Sequence, residues 1–384
     1  MFYKHKYKGV AERPPFIFDT LDKSFIYVYN GIKDIELNAR YPKSSEEREM
    51  KSFVTLPKNA AFSTFFTEEN IALIESFGEV VWNDSADHFT PEEIASRIGE
   101  SDIYVTGWGS PRLDASILDA APNLRLLVHL CGTVVPFVSD AMWERGVRVI
   151  SGNDFFAESV AEGTIGYMLT ALRDIPMYST RLKQEKRWKT AEDTNRGLLG
   201  KTVGIVSYGA IARHLVRMLQ PFRVKIKVYD IKPLPEDHKE KYGLEQASLE
   251  EIFSSCDIVT LHTPLNDQTY HLIGEEQLSL LPKGALFINT SRGSVVDQPA
   301  LERELKKGRF RALLDVYEQE PPPRESELYR LDNVMLMPHM AGPTRDLRKD
   351  ITRALLIEAS EFLSNGAPLA HEISREAAEM MSRS

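Results

Sequence analysis

Cysteine is scarce in this chain, positive charge is in deficit, and no long hydrophobic run occurs. The two cysteines, Cys131 and Cys256, stand far apart and form no C-x-x-C. A disulfide framework is therefore not expected, and both thiols suit small buried hydrophobes in a reducing cytosol. In that compartment the two N-x-S sequons at Asn83 and Asn289 carry no meaning. Lys plus Arg total 47 against 56 Asp plus Glu. No stretch concentrates positive charge as a phosphate backbone demands, so nucleic acid is not expected as a direct partner. Nowhere do about 18 uncharged apolar residues run together. The N-terminal "MFYKHKYKGVAERPPF" is basic but lacks an apolar h-region. Neither a membrane span nor secretion is expected, and the predicted location is cytoplasmic. No HExxH and no Cys/His cluster offers a metal site.

What is present is length and rhythm. With 384 residues, 42% of them hydrophobic and 27% charged, the chain exceeds what one core usually serves, and two domains are expected. From about residue 53, short β-rich runs alternate with helical patterns, the mark of parallel sheets covered by helices. The first set is "SFVTLP", "GEVVWND", "SDIYVTG", "LRLLVHL" and "VRVIS". The intervening "TEENIALIESFG", "TPEEIASRIG", "DASILDAAP" and "SDAMWERG" open on Thr, Asp or Ser as N-caps, and several close on Gly. A long helical stretch from Ala157 follows, which Pro176 should kink or divide. Six further strands then suit a second doubly wound sheet: "KTVGIVS", "KIKVYD", "DIVTLHTP", "ALFINTS", "RALLDVY" and "NVMLMP". A final helix, "TRDLRKDITRALLIEASEFLSNG", stops at Asn365-Gly366. Residues 1–50, with "SFIYVYN", fall outside this rhythm and read as an arm packed on the body or on a neighbouring subunit.

"KTVGIVSYGAIARHL", residues 201–215, is a strand, a sharp turn and a helix opening. The three positions of a G-x-G-x-x-G fingerprint hold Ser207, Gly209 and Ala212. Gly209 lets a pyrophosphate approach the backbone at a helix N-terminus, and Ala212 serves helix-to-sheet packing. Ser207 is small enough to be tolerated if its φ stays negative. Downstream, "KIKVYD" ends on Asp230, placed for a carboxylate to take the ribose hydroxyls of NAD and to oppose a 2′-phosphate. "NRGLLGKT" imitates a P-loop, but its Lys201 and Thr202 precede a strand where a P-loop follows one.

Three late stretches share the C-terminal ends of strands, where open α/β sheets bind ligands: "INTSRGSVVD" with Arg292, "LLDVYEQEPPP" with Glu320 and "VMLMPHMAG" with His339. Singly, each reads as a surface ion-pair residue, a solvated loop acid or a polar strand terminus. Together, with "HTPLNDQTYHLI" and "LPKGALFINTSRGSVVD", they resemble the D-2-hydroxyacid dehydrogenase family over roughly residues 53–370. The resemblance implies an α/β fold of two doubly wound domains: a flavodoxin-like substrate domain (51–155 and 343–384) and a Rossmann NAD-binding domain with its connecting helix (156–342). It implies hydride transfer between NAD(H) and a small 2-hydroxy or 2-keto acid, in a homodimer. In that family His339 matches the acid/base and Glu320 its partner, whose carboxylate favours the charged imidazole. Arg292 matches the guanidinium that holds the substrate's carboxylate and carbonyl. The sister formate dehydrogenases carry an amide in place of the acid partner, so Glu320 points away from them.

The resemblance also assigns Tyr208, Gly209, Ala210 and Ile211 to the pyrophosphate and Asp230 to the adenosine ribose. Thr263 and Pro264 follow "DIVTLH", while Thr290, Ser291 and Asp315 flank the nicotinamide side. His262 is left outside the catalytic set, as a cofactor contact or a strand-end cap; His88, His214 and His371 are expected to be structural or solvated. Where the family often shows A-G-V-G-V-D, this chain reads "CGTVVP". Gly132 is kept, with Val134 in place of a glycine and Pro136 in place of an aspartate. Backbone amides of Gly132, Thr133 and Val134 are the expected substrate-carboxylate site, and Trp108 either walls the same cleft or is a core residue. The substrate stays open among glyoxylate, hydroxypyruvate and other 2-keto acids. An NADH-sensing, corepressor-like binding protein on the same fold stands as the alternative.

Overall fold

Successive strands within each sheet pair in parallel because a crossover, in nearly every case helical, returns the chain to the starting end of the sheet. The computed structural model describes residues 49–193 and 195–382, so the expected N-terminal arm lies outside the described residues. Glu49–Ser384 forms one compact unit, and its described part holds two all-parallel sheets.

The first sheet comprises β1 (Met50–Val54), β2 (Gly78–Trp82), β3 (Ile103–Thr106), β4 (Leu126–His129) and β5 (Arg148–Ser151), in the order β2-β1-β3-β4-β5. β3 and β4 are buried along their whole length, which is why their apolar residues run without alternation. The crossover helices start where the sequence places their caps. Side-chain oxygens of Thr67, Thr90, Asp114 and Ser139 each accept from a first-turn N–H, a contribution of about 1 kcal/mol apiece.

The second sheet comprises β6 (Thr202–Val206), β7 (Lys225–Tyr229), β8 (Leu244–Gln246), β9 (Ile258–Leu261), β10 (Leu286–Asn289), β11 (Arg311–Leu314) and β12 (Val334–Leu336), in the order β12-β11-β10-β9-β6-β7-β8. It has seven strands, one more than expected. The extra one, β8, is three residues at the edge with only Leu244 buried, too short to show a period in sequence.

Helix Asn153–Leu172 joins the halves. Phe155 and Phe156 at its start pack on the first core, and Ala161, Met168 and Leu172 enter the second. Asp174 takes a left-handed φ of 53°, and Pro176 sits in the first turn of a new helix, Ile175–Thr180, so the proline divides the stretch as expected. Helix Arg345–Asn365 lays Ile351, Leu355, Leu356 and Ala359 against Val54, Ile103 and Val128 of the first sheet and ends at Gly366, φ 66°. Among the described residues no helix is long and apolar enough to cross a membrane.

Candidate active site

At the end of β6, pairing with β7 runs one residue past the strand, Ser207 N–H donating to the Tyr229 carbonyl at 2.7 Å. The chain must then reverse within two residues, and Ser207 does so at φ +77°. The expected negative φ is thus overturned: a serine occupies left-handed backbone that a glycine would take without penalty. Gly209 is the N-cap of helix Ala210–Leu219, which has no side-chain cap. A Cβ built on Gly209 meets nothing within 4 Å, and the first N–H groups of Ala210 and Ile211 donate to no acceptor among the described residues. Ala212 is fully buried beneath them. Asp230, half-buried at the end of β7, accepts from Tyr208 N–H (2.7 Å) and Lys232 N–H (2.8 Å). Uncapped helix amides, open space and a carboxylate beyond β7 fit a dinucleotide whose ribose carries free hydroxyls. Tyr208 turns its ring inward, its hydroxyl 3.0 Å from His238 Nδ1, so only its backbone faces the turn.

The ends of β9 to β12 supply the chemistry. Thr263 Oγ1 donates to the Val206 carbonyl (3.2 Å), and the Pro264 carbonyl accepts from Thr269 (2.6 Å). His262 beside them is buried, its pKa pushed down to about 3 by loss of water, so it is a neutral ring. Thr290 Oγ1 lies 3.3 Å from Thr164 Oγ1. Ser291 is tied to Asn289 Oδ1 through both N–H and hydroxyl, and Asn289 Nδ2 donates to the Arg292 carbonyl (3.0 Å). Next comes Gly293, whose Cβ would fall 1.8 Å from the Tyr317 carbonyl carbon. Only glycine lets the Arg292 loop press on the Tyr317 loop.

From there Glu320 and His339 are joined bond by bond, while Arg292 meets Glu320 only through its charge. Tyr317 N–H donates to Glu320 Oε1 (3.1 Å), and Glu320 Oε2 lies 2.7 Å from His339 Nδ1. His339 N–H donates to the Asp315 carbonyl (2.9 Å). The imidazole and the carboxylate are both exposed, so Nε2 is left for a ligand. Arg292 is largely buried. Burial pulls its pKa below the ordinary range, and Glu320 opposes that shift; the guanidinium stays a cation. Its one hydrogen bond is to the Ser291 carbonyl, 2.8 Å, and it has no carboxylate ion pair among the described residues.

Asp315, expected to flank the nicotinamide side, has a further part that sequence reasoning missed. It is 1% exposed, and its carboxylate accepts from Tyr167 Oη (3.0 Å), Met340 N–H (2.8 Å) and Ala341 N–H (2.9 Å). Burial first, then Asp315 itself, push the Tyr167 phenol well above its usual range, so Tyr167 remains a donor. Asp315 therefore buckles the His339 loop to the connecting helix. The signal was present but mute: an acid closing the apolar run "RALLD".

Across from these strand ends, the loop after β4 carries "CGTVVP". Among the described residues, the N–H groups of Gly132, Thr133 and Val134 donate to no protein acceptor, an arrangement suited to a carboxylate. Val134 buries its side chain completely, so only its backbone is offered. Thr133 Oγ1 donates to the Ser382 carbonyl (3.0 Å), and Ser382 Oγ accepts from Leu265 N–H (3.1 Å). One residue thus touches both the β4 loop and the β9 loop. Trp108 is 47% exposed, not a core residue. His214 pairs with Asp154 (3.0 Å) and His371 with Glu358 (2.6 Å), both structural contacts. No group of His, Cys, Asp and Glu able to hold a metal occurs among the described residues.

Fold and site define a two-sheet dinucleotide-binding protein. Residues 165–341 match the NAD binding domain of the D-isomer specific 2-hydroxyacid dehydrogenases. The chain is 34% identical over 287 residues to a glyoxylate reductase of Korarchaeum cryptofilum, covering 73% of this chain and 85% of that one. It is also 34% identical to the D-3-phosphoglycerate dehydrogenase of Methanocaldococcus jannaschii, over 73% of this chain and 53% of the relative; it spans about half that enzyme's length. A phosphoglycerate oxidoreductase from Rhizobium etli superposes with a TM-score of 0.71 at 27% identity, over 85% of this chain and 99% of that one. The chain belongs to the D-isomer specific 2-hydroxyacid dehydrogenase family, and its cofactor is NAD.

Proposed function

We propose that this protein is an NAD-dependent D-2-hydroxyacid dehydrogenase working as a 2-keto acid reductase, with Arg292, Glu320 and His339 as its catalytic residues. The observation that carries the reading is the 2.7 Å contact between Glu320 Oε2 and His339 Nδ1, beside a largely buried guanidinium that makes no ion pair among the described residues. The reduced cofactor, NADH, would supply the hydride when bound and leave as NAD+. A keto oxygen that receives hydride at its carbon becomes an alkoxide and needs a proton. His339, its Nδ1 proton held by Glu320, presents Nε2–H to give it. Arg292 offers two parallel N–H donors to the carboxylate and carbonyl oxygens, and the Gly132–Val134 amides take the far side of the carboxylate. Thr263, Pro264, Thr290 and Ser291 line the nicotinamide side, Tyr208 to Ile211 the pyrophosphate and Asp230 the ribose. The 51–155 and 343–384 segments are the substrate domain on this reading, and 156–342 the NAD domain. The functional unit is a homodimer in the cytoplasm.

The test is absorbance of NADH mixed with purified protein and a panel of 2-keto acids. Turnover is expected, and His339→Ala should lower kcat by about 10²–10⁴-fold, the usual share of general acid catalysis, with NADH binding kept. Unchanged turnover in that variant removes His339 from the mechanism. NADH binding without turnover on any panel member favours an NADH-sensing binding protein instead.

A further inference from the structure

Among the described residues Arg348 has no acid to neutralise it. Arg348, on the first turn of helix Arg345–Asn365, sets its Cζ 4.8 Å from the ring centre of Trp108 and 5.6 Å from that of Phe65. Its one hydrogen bond is long, Nη1 donating to Thr64 Oγ1 at 3.4 Å, and its Nε is buried with no partner. Neither Arg348 nor Arg345 has a carboxylate partner among the described residues. Burial first, and then repulsion from Arg345, lower the Arg348 pKa, with the neighbouring Cys131 opposing. Stacking on an aromatic face stabilises a guanidinium by about 0.5–2 kcal/mol, but it leaves the Nε–H unsatisfied, and buried donors are rarely left so. Nε itself is shut off from solvent, so it is at the outer nitrogens of the guanidinium, of which only Nη1 makes a hydrogen bond, that an anion would neutralise the charge.

Position says which anion. Thr64 and Phe65 follow β1, Trp108 follows β3 and Cys131 follows β4. With the order β2-β1-β3-β4-β5, the chain winds to one side of β1 and then to the other, so the switch point lies between β1 and β3. Open α/β sheets take ligands in the crevice beyond the strand ends at that point. The free amides of Gly132, Thr133 and Val134 begin one residue after Cys131. Arg348 therefore lies beside the carboxylate loop, near enough for Cys131 to act on its charge.

We propose that Arg348, stacked on Trp108 beside Thr64, seats a second anionic group at the end of the substrate remote from its 2-keto acid head. The inference rests on the reductase reading and deepens it: the substrate class is a 2-keto acid ending in a carboxylate or a phosphoryl group, and the planar fork of Arg348 grips that terminus.

Two measurements test it, each on wild type, Arg348→Met and Arg348→Lys. Methionine keeps an apolar stem over Trp108 without charge; lysine keeps the charge without the fork. In the first, inorganic phosphate is titrated calorimetrically into the NADH-loaded protein. Binding is expected in wild type, weakened in Arg348→Lys and lost in Arg348→Met; equal binding in all three, or none in wild type, overturns the proposal. In the second, kcat/KM is compared for glyoxylate, 2-oxoglutarate and 3-phosphohydroxypyruvate. Wild type should favour one of the two-anion substrates, and Arg348→Met should cut its ratio to glyoxylate at least about tenfold, a loss of 1.4 kcal/mol in selectivity. Whichever ratio collapses names the terminal group, and ratios that do not move overturn the proposal. Should Arg348→Met fail to fold, Arg348→Lys carries both comparisons. Absence of turnover on all three substrates sinks the reductase reading, while the phosphate titration still judges Arg348.

Discussion

Asp230 already accepts two backbone hydrogen bonds, from Tyr208 N–H and Lys232 N–H, before any ribose reaches it. On the proposed reading the carboxylate that would repel a 2′-phosphate also fixes the backbone of Tyr208, so cofactor choice and turn geometry would share one side chain. Hydrogen bonds to a charged group contribute about 1.5–3 kcal/mol each. Asp230→Ala should therefore raise KM for NADH roughly tenfold or more and move the NADPH to NADH ratio of kcat/KM upward by at least about tenfold. Asp230→Asn keeps an oxygen for Tyr208 N–H and should recover part of the first loss but not the discrimination. Initial rates with both cofactors decide it; a wild type that already prefers NADPH removes Asp230 from selectivity. At this scale the sequence was read unevenly. Gly209, Ala212 and Asp230 were legible because a strand, a turn and a carboxylate at fixed spacing define them. The backbone of Ser207 was not, since its φ is set by continued pairing to Tyr229 on a strand whose place beside β6 is a tertiary fact.

Elements were legible where their signal is local. The four caps of the first half and the Asn365-Gly366 stop each need only a side chain and a neighbouring N–H or a left-handed residue, and all appear where expected. β8 was missed because three residues hold no period. The buckle at Asp315 was missed for a different reason: its donors come from helix Asn153–Leu172 and from the loop after β12, and nothing in the sequence says those segments meet. The buckle carries a prediction. In Asp315→Asn, one amide hydrogen pair must face the N–H of Met340, the N–H of Ala341 or the hydroxyl of Tyr167, leaving a buried donor without an acceptor at about 1–3 kcal/mol. Thermal unfolding should fall accordingly. Because the displaced loop is the one that carries His339, kcat should drop more than NADH binding weakens, and Asp315→Glu should not restore it, there being no room at a 1% exposed site. Equal losses in kcat and NADH affinity would instead mark Asp315 as a cofactor contact.

At the scale of the whole molecule, helix Asn153–Leu172 connects the site to an exposed surface. Its Gly163 is pressed against Ala341, where a Cβ would come within 2.8 Å of the carbonyl oxygen, and its Tyr167 holds Asp315. Its continuation carries Ile175, Leu182, Trp188 and Leu199, each at least half exposed. Four large apolar side chains within 25 residues of one connector exceed the single scattered hydrophobes of an ordinary surface. A tryptophan at 72% exposure is of the residue type that most often anchors an interface. A second copy of this chain is the occupant expected from the homodimer proposal. On that reading, dimerisation braces the helix beneath the His339 loop. Sedimentation velocity should show wild type at twice the mass of one chain and Trp188→Asp shifted toward a single chain at micromolar concentration. Specific activity of the variant should rise with protein concentration as dimers re-form, while that of wild type stays constant. Wild type sedimenting as one chain, or Trp188→Asp keeping the wild-type mass, would show that this surface does not join two copies.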